Sequence, residues 1–388
     1  MSASRCYLDY NATSPLRLSA REACVAALDL AGNASSIHRE GREARRFIED
    51  ARRRVGGLFA AAPEQVVFTS GATEAANLML TPELASPTAP RGIRRLLVQA
   101  TEHSAVLRGH RFAPDAVTLL RVRPDGVIDL TGLAEALASD GGSPALLALQ
   151  AANNETGVLQ PLREAADLVH ASGGLVACDA VQVAGRVAVS LADTGVDVAC
   201  LSGHKLGGPQ GTGAVVLRKG IVLGPAVLRG GGQERGSRSG TENVAGIAGF
   251  GAAAAEAGET DGTGRLSELQ KLLEKGLADV AADVVVFGAA APRLPNTTCF
   301  AVPHTSAEVL LIALDLAGIA VSTGSACSSG KVSRSHVLEA MGVGPHLSQG
   351  ALRVSTGWAS TTDDIARFLD AFGAALRRMH KRPFAAAA

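Results

Sequence analysis

The chain has 388 residues, 47% of them hydrophobic and 19% charged, enough for a substantial buried core and two domains. Its 37 basic and 37 acidic side chains cancel, so charge gives no support to nucleic acid, an anionic membrane surface or a polyacidic partner, and a small-molecule substrate fits better. No apolar run is long enough to span a bilayer and the start, MSASRCYLDYNATSP, lacks the basic and apolar stretches of a secretory signal, so the chain is expected to be cytoplasmic.

In chain order, the first pattern is a helix over residues 41–58. It carries Arg42, Arg45, Arg46, Arg52, Arg53 and Arg54, with Glu43, Glu49 and Asp50 interleaved, and reads as a surface helix with a solvated charged face. From 64 to 217 the apolar runs QVVFT, RRLLVQA, AVTLLRV, PALLALQ, GLVACD, DVACLS and GAVVL alternate with helical patterns such as 162–172. Near-continuous apolar strands alternating with helices predict a parallel sheet covered on both faces, hence an α/β core. Ligands of such sheets bind at the carboxyl ends of the strands.

The first of those ends is VVFTSGATEAAN, residues 66–77, where Ser70-Gly71-Ala72-Thr73 opens a helix. Its N–H groups, the Thr73 hydroxyl and the helix dipole can hold a phosphate. An N-cap with Glu74 complementing the dipole explains the same letters. VQATEHSAV and LQAANNETG then place His103, Asn153 and Asn154 just beyond strands, where such residues are also ordinary turn formers. CDAVQ ends a strand at Asp179, with Gln182 one turn on. LSGHKLGGPQGTG ends the next with Ser202, His204 and Lys205. A lysine leaving a buried strand for a glycine-rich loop is suited to a Schiff base with a carbonyl cofactor.

GGGQERGSRSGTEN, residues 230–243, is a cationic glycine-rich loop suited to anions and ending at Thr241. It reads equally as a linker with a Thr N-cap before an Ala-rich helix over 241–257. EAGETDGTGR, 256–265, marks a domain boundary. Helices over 266–281, 306–317, 333–341 and 361–380 then mix with short strands, as in a smaller α/β domain. LRVSTG places Arg353 in one such strand, able to clamp a carboxylate in bidentate fashion or to lie on an exposed face. The expected division is a large cofactor domain over 15–257 and a small domain of 1–14 with 258–388.

Six cysteines at 6, 24, 178, 200, 299 and 327 show no C-x-x-C pair, so neither a disulfide framework nor a metal site is expected. Cys178, Cys200 and Cys299 sit in apolar runs and read as core. Cys327 differs, because STGSACSSG, 322–330, surrounds it with small residues that pack poorly and permit movement. Pyridoxal 5'-phosphate needs a lysine, an acid for its ring nitrogen, a phosphate cradle and a flat partner for the ring. Lys205, Asp179, the set Ala72, Thr73, Ser202 and His204, and His103 supply these types, with Gln182 for the phenolic oxygen.

Together YLDYNATSPL, NASSIHREGREAR, FTSGATEAAN, TEHSAV, NNETGVLQP, DAVQ, SGHKLGGPQGTGA, GGGQERGSRSGTENV, STGSACSSG, HVLEAMG and LRVSTG resemble the class V aminotransferase family, specifically cysteine desulfurases of the NifS/IscS type, along nearly the whole chain. The resemblance implies a fold type I pyridoxal phosphate enzyme working as a homodimer: a large domain with a mostly parallel sheet flanked by helices, plus a smaller α/β C-terminal domain. It implies Lys205 as the Schiff-base lysine and His103 as the stacked, proton-shuttling histidine. Asp179 falls to the ring nitrogen, Gln182 to the phenolic oxygen and Asn154 to cofactor and substrate. Ala72, Thr73, Ser202 and His204 become phosphate contacts, and Thr241 reaches the phosphate of the neighbouring subunit. Arg353 becomes the substrate-carboxylate group and Cys327 the nucleophile, with Lys331 and Arg334 as its electropositive setting. The implied reaction turns L-cysteine into L-alanine and a persulfide on Cys327, handed to a sulfur acceptor such as an iron–sulfur scaffold or a thio-cofactor or tRNA pathway. A selenocysteine lyase or aminotransferase on the same fold, and a non-catalytic cofactor-binding scaffold, are the alternatives.

Overall fold

The computed structural model describes residues 5–87, 93–139, 143–259, 263–323 and 334–380. Its strands are β1 (Cys6–Tyr7), β2 (Val66–Thr69), β3 (Arg95–Gln99), β4 (Val117–Leu120), β5 (Ala145–Ala148), β6 (Leu175–Asp179), β7 (Val198–Ser202), β8 (Gly213–Leu217), β9 (Val285–Val286), β10 (Thr297–Ala301), β11 (Ile319–Ala320), β12 (Ser322–Thr323) and β13 (Leu352–Ser355). The seven apolar runs between 64 and 217 become one sheet in the order β2-β8-β7-β6-β5-β3-β4. The two faces share the residues of each strand alternately. In β6, Val176 and Cys178 enter one apolar core while Leu175 and Ala177 enter the other, which is why the strands read as continuous apolar runs.

The sheet is mostly parallel, as expected; the exception is β8, which runs antiparallel to both β7 and β2. The link from β7 to β8, residues 203–212, is shorter than the roughly dozen residues a parallel crossover needs, so the chain turns back beside β7. That reversal leaves the tight loop carrying His204 and Lys205 at the sheet's carboxyl edge.

Arg39–Gly57 and Val244–Glu259 pack together over one face. A Cβ on Gly251 would lie 2.5 Å from the Ala51 Cα, so the two helices approach closely only because that position has no side chain. Within Arg39–Gly57, Arg52 departs from the solvated face read from sequence. It is 2% exposed, donates to both Glu234 carboxylate oxygens at 2.7 and 2.9 Å and to the Val66 carbonyl at 2.9 Å, and lies 4.9 Å over the Phe68 ring. Of the interleaved acids only Glu49 reaches it, accepting from Nε at 3.1 Å; the two terminal nitrogens are taken by Glu234, 182 residues away. Val244–Glu259 begins three residues later than expected. Its cap is Asn243, whose Oδ1 accepts from Gly246 N at 3.0 Å, while Thr241 is exposed ahead of it.

A separate core joins Cys6 and Leu8 to Leu266, Leu269, Leu273 and Leu277 of Thr263–Val280 and to Phe300, Phe368 and Phe372, the last ring meeting Phe300 edge-on at 5.4 Å. The sheet β12-β13-β10-β9 carries it, with β1 pairing β11 alongside. The start of the chain therefore packs with its last third. Among the described residues no helix is long and apolar enough to cross a membrane.

Candidate active site

A cavity of about 560 Å³ opens at the carboxyl ends of β6 and β7. It collects Ala72, Thr73, His103, Asn154, Asp179, Gln182, Ser202, His204, Lys205 and Arg353 on one surface, with Asn11 and Ala12 from the N-terminal segment. Of the residues singled out in the sequence, Thr241 lies apart. It lines a neighbouring pocket with Ser70 and Gly211, two residues that border the main cavity as well. Cys327 and Lys331, with the expected mobility of their loop, lie outside the described residues. Arg334 lies just inside them and is exposed.

The phosphate-type wall is the turn before Ala72–Met79. Gly71 precedes that helix with an extended backbone, and β8 passes so close that a Cβ on Gly213 would fall 2.6 Å from Gly71 Cα. Only backbone fits there, which leaves the N–H groups of the first helical turn facing the cavity. Glu74 stands in the first helical turn, as expected, and is also tied: it accepts from Ser70 N at 2.8 Å, Ser70 Oγ at 2.5 Å and Arg238 Nε at 3.0 Å, joining the 230–243 loop to this turn. His204 sits opposite with Nδ1 3.1 Å from Thr13 Oγ1. Burial and then the nearby Lys205 charge push its imidazole down to about 4, so at neutral pH it is an uncharged hydrogen-bonding group.

Lys205 follows β7 in a short turn and donates to the backbone carbonyls of Asn11 at 2.5 Å and Ala12 at 2.8 Å. Asp179 ends β6 half-buried, with Oδ1 accepting from Val181 N at 2.9 Å, so it caps the following turn as well as facing the cavity. Burial raises its carboxyl above the ordinary range, opposed by Val181 N and by the charges of His103 and Lys205. His103 caps Ser104–Leu107, its Nδ1 accepting from Ala105 N at 3.1 Å, and that tautomer leaves the proton on Nε2. Glu102, one residue earlier, is fully buried. Its Oε1 accepts from Gln150 N, its Oε2 has no partner among the described residues, and burial followed by Asp179 holds its carboxyl well above normal.

Arg353 enters from the other core. Paired in β13 with Cys299 and Ser322, it is 2% exposed and donates from Nη1 to the Asn154 carbonyl at 2.9 Å and from Nη2 to Asp9 Oδ1 at 2.7 Å. Its Nε is buried and has no partner among the described residues. Asn11 binds the parts together. Its Nδ2 donates to the Asn154 carbonyl and to Thr297, its carbonyl accepts from Lys205 and Gln182, and its Oδ1 accepts from Arg186 at 2.8 Å. Arg186 also holds the Gln182 Oε1 at 2.6 Å, which turns the Gln182 amide N–H toward Asn11. Sequence reading passed over Asp9, Asn11, Glu102, Glu155 and Arg186. A local signal was present for Glu102 and Glu155, which adjoin His103 and Asn154; Asp9, Asn11 and Arg186 had no such neighbour.

Pyridoxal phosphate fits these residues: a lysine amine, a half-buried carboxylate, a backbone cradle closed by Gly213, a histidine at the wall, and a guanidinium with a buried N–H unused among the described residues. Among the described residues no group of three or more His, Cys, Asp or Glu could hold a metal ion. The free thiols of Cys178, Cys200 and Cys299 are buried in the cores, as their apolar runs predict, and burial pushes all three up, away from the thiolate form.

A family model described as Aminotransferase class-V matches residues 6–368. The chain is 42% identical to a cysteine desulfurase of Frankia sp. (strain EuIK1), over 96% of this chain and 91% of that one. It is 38% identical to an IscS-like cysteine desulfurase of Mycobacterium tuberculosis, over 98% of each. Among solved structures, a NifS-like protein from Rickettsia africae matches with a TM-score of 0.86 at 33% identity, covering 96% of this chain and 99% of that one.

Proposed function

The chain belongs to the class-V aminotransferase family, and from that premise we propose that it is a pyridoxal phosphate-dependent cysteine desulfurase that takes sulfur from L-cysteine, releases L-alanine and passes the sulfur to an acceptor. The observation that carries this reading is the meeting of Lys205, Asp179, His103 and Arg353 on one cavity fed from two cores. The proposed division of labour is residues 15–257 for the cofactor and residues 1–14 with 258–388 for the substrate carboxylate and the Cys327 loop. A homodimer accounts for Thr241 lying outside the cavity, where it could serve a second copy's phosphate.

Pyridoxal phosphate, when bound, supplies a carbonyl carbon that combines with amines and a conjugated ring that draws off electrons. The first helical turn at Ala72 and Thr73, with Ser202 and neutral His204, would hold its phosphate. Lys205 would carry the aldehyde. Asp179 would face the ring nitrogen; its raised proton affinity falls once a cation is placed beside it, as an opposite charge favours the ionised carboxylate. Gln182, its amide fixed by Arg186, would donate to the phenolic oxygen.

Arg353 would hold the substrate carboxylate. Five N–H groups belong to a guanidinium, and Asn154 and Asp9 take one each, which leaves enough for a bidentate pair. That grip presents the substrate α proton to Lys205 and the thiol proton to His103. The Cys327 thiolate then attacks the substrate sulfur. The new S–S bond forms as the Cβ–S bond breaks, the electron pair stays with Cβ, and a proton there completes the methyl group of alanine. No outside oxidant is required, because the sulfur is oxidised as the carbon is reduced.

The test is Cys327→Ala. Mass spectrometry after addition of L-cysteine should find a persulfide on Cys327 of the wild type and none on the variant, whose alanine production is lost while the visible absorbance of its bound cofactor is unchanged. Undiminished alanine and sulfide from the variant would exclude the persulfide route.

A further inference from the structure

Glu155 follows Asn154 in the loop after β5, and nothing in the scheme above uses it. It is 4% exposed, and its backbone N–H is fixed to Asn153 Oδ1 at 2.9 Å. Asn153 is itself tied to the Thr101 carbonyl at 3.0 Å, so the carboxylate is not free to swing. Its Oε2 accepts the Ser335 hydroxyl at 2.5 Å. Ser335 is 4% exposed and caps His336–Ala340, accepting from Leu338 N at 3.1 Å, so its hydroxyl is committed as donor to Glu155 and as acceptor to the helix. The next residue, His336, places Nε2 2.9 Å from the Glu102 carbonyl, one residue before His103. On the other side, Ser322 and Thr323 pair with Arg353 and Leu352.

The two described flanks of the Cys327 stretch are therefore fastened to the cavity wall at different points. The leading flank is fastened to the strand of the substrate arginine. The trailing flank is fastened through one carboxylate, whose neighbour in the chain, Asn154, holds that arginine by its carbonyl.

We propose that Glu155 is a positioning residue for sulfur transfer: by accepting the Ser335 hydroxyl it fixes the trailing flank of the Cys327 segment against the loop that orients Arg353. The inference rests on the reading of the chain as a cysteine desulfurase. Glu155 touches neither substrate nor cofactor in this scheme, and acts through Ser335. The charged or titratable groups acting on it are Arg353 from β13, His103 before Ser104–Leu107 and Cys299 from β10. Burial raises its carboxyl to about 7, which the Ser335 hydrogen bond and the Arg353 and His103 charges partly oppose, so its ionisation changes near neutrality.

The experiment compares Glu155→Met, similar in volume but without an acceptor, with Glu155→Gln, whose amide oxygen can still accept from Ser335. After L-cysteine, the change in the cofactor's visible absorbance should run within about threefold of wild type in both variants. Trapped persulfide on Cys327 should form about tenfold to hundredfold more slowly in Glu155→Met, the range expected when a reacting group is misplaced by about an ångström. Glu155→Gln should recover that rate and lose the change in rate seen near pH 7 in the wild type. Without any cofactor, trypsin should cut after Arg334 faster in Glu155→Met than in Glu155→Gln, since only the former releases Ser335.

Wild-type persulfide and proteolysis rates in Glu155→Met would overturn the inference. So would loss of the absorbance change in step with persulfide, which would mark a general structural role. A wild type that forms no persulfide would instead remove the functional reading, and this inference with it.

Discussion

Asp9 offers the sharpest test of how the substrate arginine is held. The Arg353 and Asp9 side chains are 3% and 18% exposed, so solvent screens their 2.7 Å hydrogen bond far less than it would a surface pair. A hydrogen bond to a charged group contributes about 1.5 to 3 kcal/mol net, and a neutral one about 0.5 to 1.5. Asp9→Asn keeps the shape and the charged guanidinium donor but gives it a neutral acceptor, which moves the bond from the upper to the lower end of the charged range, a loss of about 1 to 1.5 kcal/mol. Asp9→Ala removes the acceptor and forfeits about 1.5 to 3 kcal/mol. If that energy is what keeps the guanidinium aimed into the cavity, the weakening of substrate binding should be graded. At about 1.4 kcal/mol per factor of ten, it is roughly fivefold to tenfold for Asn and tenfold to a hundredfold for Ala. The assay is binding of L-alanine, which has the carboxylate and no sulfur, followed through the cofactor's absorbance, with KM for L-cysteine beside it; kcat should change far less than KM. Tighter binding in either variant would refute the argument, because it would mean that Asp9 competes with the substrate for Arg353. Unchanged binding with a lowered Tm would confine Asp9 to stability.

Two further outcomes follow from buried charges. Glu234→Ala takes the bidentate partner from the Arg52 guanidinium, which is 2% exposed and keeps only Glu49 at Nε and the Val66 carbonyl, and removes the acceptor of Phe68 N, so unfolding in urea should show a loss of about 3 kcal/mol; Glu234 and Arg52 replaced together by apolar residues should recover much of it. Glu155 ionises at about 7 when folded and near its ordinary 4.5 when unfolded, so between those values the folded chain binds the extra proton and stability falls as pH rises. Glu155→Gln should then match the wild type in Tm near pH 4 and exceed it at pH 8, by roughly 3 kcal/mol if the full shift is expressed. A variant that is less stable at pH 8 would place the Glu155 carboxylate in a better-compensated site than its surroundings indicate.

Six of the seven strands of the large sheet were legible because they are buried on both faces and written as near-continuous apolar runs; the edge strand β4 was legible from its letters although Thr118 and Leu119 are exposed. The polar letters that end those runs were legible because a charge leaving a buried strand has few ordinary uses, as at Asp179 and Lys205. What could not be read was pairing between distant segments. The buried ion-pair partners Asp9 of Arg353 and Glu234 of Arg52 lie 344 and 182 residues away in sequence, and no periodicity or spacing carries that information. The reversal at β8 was equally hidden, since a buried strand has the same letters in either direction. Glu155 stands beside a motif asparagine, yet its burial depends on Ser335, 180 residues further on. Local rules see the elements and their ends; the electrostatics of the site arise where the ends meet.

The N-terminal segment explains why those ends meet where they do. Leu8 belongs to the smaller core, and Asp9 receives Arg353 from β13. Asn11 and Ala12 receive Lys205, Thr13 meets His204, and Ser14 N donates to the His204 carbonyl at 2.9 Å. Arg17 then closes the run, donating to the Leu206 carbonyl at 2.8 Å and to Glu256 at 2.6 Å while lying 5.4 Å over Trp358. A single strap thus fixes the lysine loop of one core against the arginine strand of the other. Any shift between the cores must change the distance between the proposed cofactor lysine and the proposed substrate clamp. Substitutions in residues 9–17 should therefore act on catalysis even where they touch neither substrate nor cofactor, because the site's geometry is the geometry of that junction.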